Sequence, residues 1–200
     1  MIRISLHLFC FLIFMASCSR EKIYEIKDEQ GRLLKKIINQ GDSSLGLNGV
    51  VQLFTAEGKL FSEDSYRNNL LEGERKIYEN GVLYSIEHYQ KGLFQGPIAV
   101  YYPDGTLKLE GQYDNNITVG QWKSYYPGGK LKEIVLMADN AENGPFEEYY
   151  ENGKIKAKGN YLDGPDENGE LLMYDSLGTL QRKMNCTKGI CTTTWKRDSI

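Results

Sequence analysis

Two cysteines five positions apart, Cys186 and Cys191 in the stretch CTKGIC, are the residues of this chain with the most chemistry to offer. Such a pair can be a redox couple, half of a metal clip or a cross-link. A redox couple draws its reactive thiolate from a helix N-terminus, and nothing in the surrounding sequence predicts a helix. A zinc clip needs two further ligands, and the tail supplies none. The expectation that remains is a disulfide between two strands. His88 is the only histidine beyond the first seventeen residues, which removes Ser-His-Asp and multi-histidine metal arrangements. The stretch DGPDENGE, 163–170, places the hard oxygen ligands Asp163, Asp166, Glu167, Asn168 and Glu170 together, as calcium would want. It lacks the D-x-D-x-D-G spacing, so a longer loop is the simpler account. The carboxylates of FEEYYENG alternate along an extended segment and do not converge, and no acidic pair of the glycosidase kind is singled out. The expectation is a chain with no catalytic residue, no metal and no cofactor.

The N-terminus reads MIRISLHLFCFLIFMASCSREK, with a cation at Arg3, an apolar run from Ile4 to Phe14 and small residues before Cys18. This is the layout of a secretory signal. An eleven-residue helix would span about 16 Å against roughly 30 Å of bilayer hydrocarbon, too short to cross it. The tetrad Met15-Ala16-Ser17-Cys18 resembles the lipobox of bacterial lipoproteins, with Met in place of the usual Leu. That resemblance implies cleavage after residue 17, acylation of Cys18 and attachment to a membrane. The implied location is the bacterial cell envelope, with Ser19 favouring the outer membrane, facing the periplasm or the surface. The chain carries 24 Lys and Arg against 27 Asp and Glu, with the cations scattered. It has no electrostatic footprint for nucleic acid.

The elements that would position any site follow from a repeat, which is best sought first. Glycines stand at 49, 73, 96, 120, 144 and 169, and a second series, Gly58, Gly81, Gly105, Gly129, Gly153 and Gly178, follows each by eight or nine residues. Five residues after each first glycine comes an aromatic: Phe54, Tyr78, Tyr101, Tyr125, Tyr149 or Tyr174. Two after each second glycine comes Leu60, Leu83, Leu107, Leu131, Ile155 or Leu180, and eight after it Tyr66, Tyr89, Tyr113, Met137, Tyr161 or Cys186. Three residues further stands only Asn or Gly: Asn69, Gly92, Asn116, Asn140, Gly164 and Gly189. These enter the left-handed region cheaply, as two-residue hairpin turns require. Segments of five to eight residues rich in Tyr, Val, Ile and Leu lie between turns such as YYPDG and YENG, which predicts strands. The fold class predicted is all-β: an elongated single-layer antiparallel meander of about six 24-residue hairpin repeats, stabilised by side-chain ladders between neighbours. The domain reading is a signal at 1–17, a lipidated N-terminus with a partial capping repeat (a half-copy at 27–39) over 18–46, repeats over 47–191 and a capping strand over 192–200.

The unit G-x-x-x-x-Y-Y-x-x-G-x-L, as in GPIAVYYPDGTLKLEGQY, GQWKSYYPGGKLKEIVLM and GPFEEYYENGKIKAKGNY, resembles the MORN-repeat variant found in many bacterial proteins. The resemblance covers 47–186 and implies a single-layer antiparallel sheet. It also implies the roles of that family's members, which include antitoxins of the YwqK family and interaction or membrane-associated modules. A fold of this kind does not specify a role by itself.

One asymmetry marks a candidate binding face. A second aromatic, Tyr102, Tyr126 or Tyr150, follows the first only in the three central repeats, where the outer ones have Thr55, Glu79 and Asp175. Alternation places it opposite the first Tyr and on the same face as Trp122, so the expected contact residues are Tyr102, Trp122, Tyr126 and Tyr150. Exposed aromatics on a rigid sheet suit a protein or glycan partner. Two functional expectations follow: a non-catalytic binding or scaffold lipoprotein, or an antitoxin or immunity protein acting in the envelope. On the same alignment Cys186 faces Cys191 across the Lys188-Gly189 turn, where a non-hydrogen-bonded pair brings the two chains within disulfide reach. Continuing the count puts Trp195 in the slot of Trp122.

Overall fold

The computed structural model describes residues 21–40 and 46–198. They form sixteen strands: β1 (Lys22–Lys27), β2 (Leu33–Asn39), β3 (Gly49–Phe54), β4 (Leu60–Arg67), β5 (Leu70–Glu79), β6 (Val82–Gln90), β7 (Leu93–Phe94), β8 (Gly96–Tyr101), β9 (Leu107–Asp114), β10 (Ile117–Tyr125), β11 (Leu131–Ala138), β12 (Ala141–Tyr149), β13 (Ile155–Tyr161), β14 (Gly169–Tyr174), β15 (Leu180–Thr187) and β16 (Ile190–Lys196). They lie side by side in chain order in one antiparallel sheet, with the two-residue β7 pairing only to β6. The predicted meander is the observed one, and its N-terminal cap is larger than a half-copy. β1 pairs with β2 so that Lys27 faces Leu33, the place Phe54 and Leu60 hold in the first full repeat.

Each repeat turns twice. At the Asn/Gly slot both central residues have positive φ, for instance Asn115 at 49° and Asn116 at 67°, the geometry of a tight two-residue hairpin. At the second glycine, the Gly129 amide donates to the Tyr126 carbonyl at 2.8 Å and the Tyr126 amide to the Lys130 carbonyl at 2.8 Å. That is a three-residue loop closed by a left-handed glycine. The aromatic and the Leu/Ile of every repeat face each other near this turn, as Tyr125 does Leu131 and Tyr149 does Ile155, the turn at Gly81 being one residue shorter.

The first-series glycine has a separate task. Each lies directly opposite the next Tyr-slot residue, as Gly96 does Tyr113 and Gly144 does Tyr161. At Gly120, with φ of 70°, β10 swells: Val119 faces Gln112 but Lys123 faces Glu110, so three residues of β10 pass the single residue Gly111. Such bulges bend and twist a sheet. With no second layer among the described residues, this curl and the neighbouring rows of side chains must cover the core.

The core lies on one face only. Val51, Ser62, Asp64, Ser85, Tyr89, Val100, Trp122, Val135, Phe146, Ala157, Leu171 and Cys186 are all buried there. In its central row, Trp122 faces Val135, Val135 faces Phe146, and Phe146 faces Gly159. The opposite face carries an unbroken charged and mixed row that includes Glu63, Lys76, Glu110, Lys123, Glu147 and Lys158.

Candidate binding surface

At the hairpin ends, the second-aromatic slot of the central repeats closes the joint between consecutive units. The Tyr102 hydroxyl donates to the Tyr125 carbonyl at 2.7 Å, Tyr126 to Tyr149 at 2.8 Å, and Tyr150 to Tyr174 at 2.8 Å. Each phenol thus reaches one repeat forward, and all three rings are half-buried. The outer repeats use the slot locally instead. Asp175 accepts from the Leu177 and Thr179 amides at 2.9 Å, and Thr55 accepts from the Glu57 amide at 3.3 Å. The three tyrosines are therefore first of all repeat-to-repeat fasteners that remain partly exposed.

Trp122 does not join them as a surface residue. It is 9% exposed, meets Tyr113 edge-on at 5.4 Å, and lies so close to Gly111 that a Cβ there would stand 2.2 Å from the indole. It points into the core, whereas Tyr126 lies beyond the end of β10 and reaches the Tyr149 carbonyl at the hairpin edge. Trp195 departs too. It faces Lys183 on the opposite side of the sheet, because β16 spans its register shift with one residue fewer than β12 does between Met137 and Val135.

The other end of each repeat is clasped by residues whose role the sequence did not announce. The Asn69 side-chain oxygen accepts from the Leu47 amide at 2.7 Å while the Asn69 backbone N–H donates to the Leu47 carbonyl at 3.1 Å. Asn116 treats Phe94 the same way, and the Asn140 side chain accepts from the Thr118 amide at 2.8 Å. The restriction of this slot to Asn and Gly is legible as turn chemistry. The partner lies 22 residues back and is visible only in the fold.

The remaining candidates separate. His88 is half-exposed, with Nδ1 2.9 Å from the Pro97 carbonyl oxygen. In the 163–170 loop, Asp163 accepts from the Asn143 side chain at 3.2 Å while the Glu167 carbonyl accepts from the Gly189 amide at 3.1 Å. Among the described residues no three His, Cys, Asp or Glu side chains gather as a metal set. The register does bring Glu133 directly opposite Glu148. Burial first, then the charges of Glu148 and Glu142, hold the Glu133 carboxyl above its ordinary value, while Lys156 pairs with Glu148 at 2.9 Å. The Tyr125 phenol is pushed up to about 12 by burial and Glu110, and that of Tyr149 to about 12 by its hydrogen bond to Glu147 and by burial. Both stay protonated donors at neutral pH. Cys186 faces Cys191 in register, the two form a disulfide, and Cys186 is 2% exposed. Cys18 and the signal-like segment lie outside the described residues.

One concavity breaks the regular hairpin edge. Beside the β5–β6 turn a cleft of about 280 Å³ is lined by Glu79, Leu83, Tyr84, Tyr101, Tyr102 and Lys108, among others. Lys108 Nζ sits 5.7 Å from the centre of the Tyr102 ring. The surface can thus present aromatic flanks, a charged row and one aromatic cleft, which suits holding a partner.

Comparison with known proteins bears on the type of module. No curated protein matches the chain. The profile described as MORN repeat variant matches residues 47–68, 71–91, 95–115, 118–139 and 142–163. These five matches each run from a first-series strand to the Asn/Gly turn. The sixth copy, β14 and β15, keeps the same register of Gly169 against Cys186 and Tyr174 against Leu180 without being matched. Binding and scaffolding are the roles this repeat type supports. More than half of the chain is covered, and the chain belongs to the MORN repeat variant family.

Proposed function

We propose that this protein is a lipid-anchored, non-catalytic binding scaffold of the bacterial cell envelope, held to the membrane through Cys18 and offering its repeat sheet to a protein or glycan partner. The observation that supports this most is the double fastening of the sheet. Phenol-to-carbonyl bonds at one hairpin edge join the last four repeats in series, and Asn clasps at the other edge tie positions 22 residues apart, which holds the central repeats in fixed register. A rigid row of half-exposed aromatics contacts a partner at low entropic cost. The lipobox-like Met15-Ala16-Ser17-Cys18 supports the anchor, since several acyl chains on one residue give stable attachment at about 0.8 kcal/mol per buried methylene.

Labelled palmitate should enter the wild-type protein and not Cys18→Ala, and crosslinking in intact envelopes should then trap a partner. Equal labelling of both proteins would remove the anchor. An immunity role in the same compartment is the second reading, favoured by the family's antitoxin members. It requires that deletion of the gene be harmful only in cells exposed to a particular toxin.

A further inference from the structure

We propose that the cleft beside the β5–β6 hairpin is a receptor for the phenol side chain of a tyrosine carried by a partner protein. Three consecutive repeat joints are filled by a tyrosine ring whose hydroxyl donates to the carbonyl of the next repeat's first aromatic: Tyr125, Tyr149 and Tyr174. The joint before them breaks the rule twice. Its slot residue is Glu79, whose carboxylate accepts but does not donate, so no phenol reaches the equivalent carbonyl, that of Tyr101. Its hairpin is also one residue shorter. Asn80 and Gly81, with φ of 53° and 84°, make a two-residue turn, and Glu79 pairs directly with Val82. Here the loop is one residue shorter and its slot holds no ring, and a cleft opens at the same place.

That space is bounded as a ring would require. Leu83 and Tyr84 come from β6, Tyr101 from β8, and Tyr102 and Lys108 from the next hairpin. Its 280 Å³ lies just under the roughly 300 Å³ at which sites for drug-sized ligands begin, which favours a single side chain. Glu79 and Lys108 both line the cleft and their charges cancel, so the lining offers no net charge to favour a charged head group. A neutral ring with one hydroxyl needs none and restores the missing bond to Tyr101. The same reasoning favours a tyrosine over a sugar, whose several hydroxyls would need partners that the aliphatic and aromatic walls do not supply.

The inference rests on the binding-scaffold reading for its biological setting and is independent of the anchor, because its test uses the purified mature chain. p-Cresol, the tyrosine side chain, and toluene, the same ring without the hydroxyl, would be titrated while the NMR signals of Leu83, Tyr84 and Lys108 are followed. p-Cresol should give saturable shifts at these residues, with half-saturation at about 1–10 mM for so small a ligand, and toluene should bind several-fold more weakly. Glu79→Tyr should fill the cleft and weaken p-cresol at least tenfold. Tyr126→Ala should open an equivalent cleft two joints further on, giving a second p-cresol site and a p-cresol-dependent rise in Tm. Absence of saturable shifts, unchanged binding by Glu79→Tyr, or equal binding of toluene would overturn the proposal. So would larger shifts at the same residues from methyl glucoside than from p-cresol. Should either variant fail to fold, the wild-type comparison of p-cresol with toluene and methyl glucoside still decides.

Discussion

The central row of the core face is built from opposite chemistries in the two halves of the sheet. Across β4, β5 and β6 it is Asp64, Arg75 and Glu87, with Arg75 Nε 2.9 Å from Asp64 and a terminal guanidinium nitrogen 3.6 Å from Glu87. The Tyr89 hydroxyl completes the set by donating to Glu87 at 3.0 Å. Across β10 to β14 the same row is Trp122, Val135, Phe146, Gly159 and Leu171. One backbone register therefore accepts either an ion-paired chain or an apolar stack. A nearest-neighbour architecture asks only that adjacent positions suit one another. The apolar half gains from area removed from water. The charged half depends on each member keeping its partner, since a charge left alone in such a place is far costlier than the pair is helpful.

The contrast can be broken most severely on the apolar side. Phe146 is 3% exposed and stacks on Tyr161 at 4.3 Å between ring centres. Phe146→Ala should cost about 3–5 kcal/mol, read by denaturant unfolding, with hydrogen exchange accelerated over β11–β13 and little changed at β3–β6. Next comes Arg75→Ala, which strands Asp64 and Glu87. A loss of about 3 kcal/mol is expected, confined to the first half by the same measurement. Adding Asp64→Leu and Glu87→Leu should recover much of it by turning this stretch into the apolar kind, and if the triple variant is no better than the single one, the two chemistries are not interchangeable.

The smallest effect sharpens the comparison, because it concerns charges placed inside the apolar half. Glu133 faces Glu148 and is held above its ordinary value of 4.5. A carboxyl raised on folding contributes stability that is present below that ordinary value and fades as pH rises through the raised one. Glu133→Gln should therefore stabilise the fold at neutral pH by about 0.2–1 kcal/mol, the scale of directly opposed like charges. Its stability curve should lack the wild-type decline between about pH 4.5 and neutrality, measurable as Tm against pH.

Much of this arrangement is legible in the sequence where a residue type answers to a local backbone need. The glycine series, the Asn/Gly turns and the Cys186–Cys191 pairing all follow from counting, because turn geometry and strand pairing act over a few residues. What counting cannot supply is which of two alternating faces is covered. Asp64, Arg75 and Glu87 look like ordinary solvated strand residues, and Trp122 looks like a surface aromatic, until the curl of the sheet assigns them to the buried side. The fastening roles of Tyr102, Tyr126 and Tyr150 depend on carbonyls 23 or 24 residues away. Trp195 shows the finest limit: one residue fewer in a bulge moves a side chain to the other face.

The strictly sequential order of the strands also sets how the molecule carries load. Neighbouring strands are about 4.8 Å apart, so its two ends are separated across the strands rather than along them. A pull between β1 and β16 would act on one strand pair at a time, as in opening a zipper. The sheet would then yield hairpin by hairpin at low force, each step releasing a similar length of chain. The disulfide between Cys186 and Cys191 makes the last hairpin a link that tension cannot fully extend.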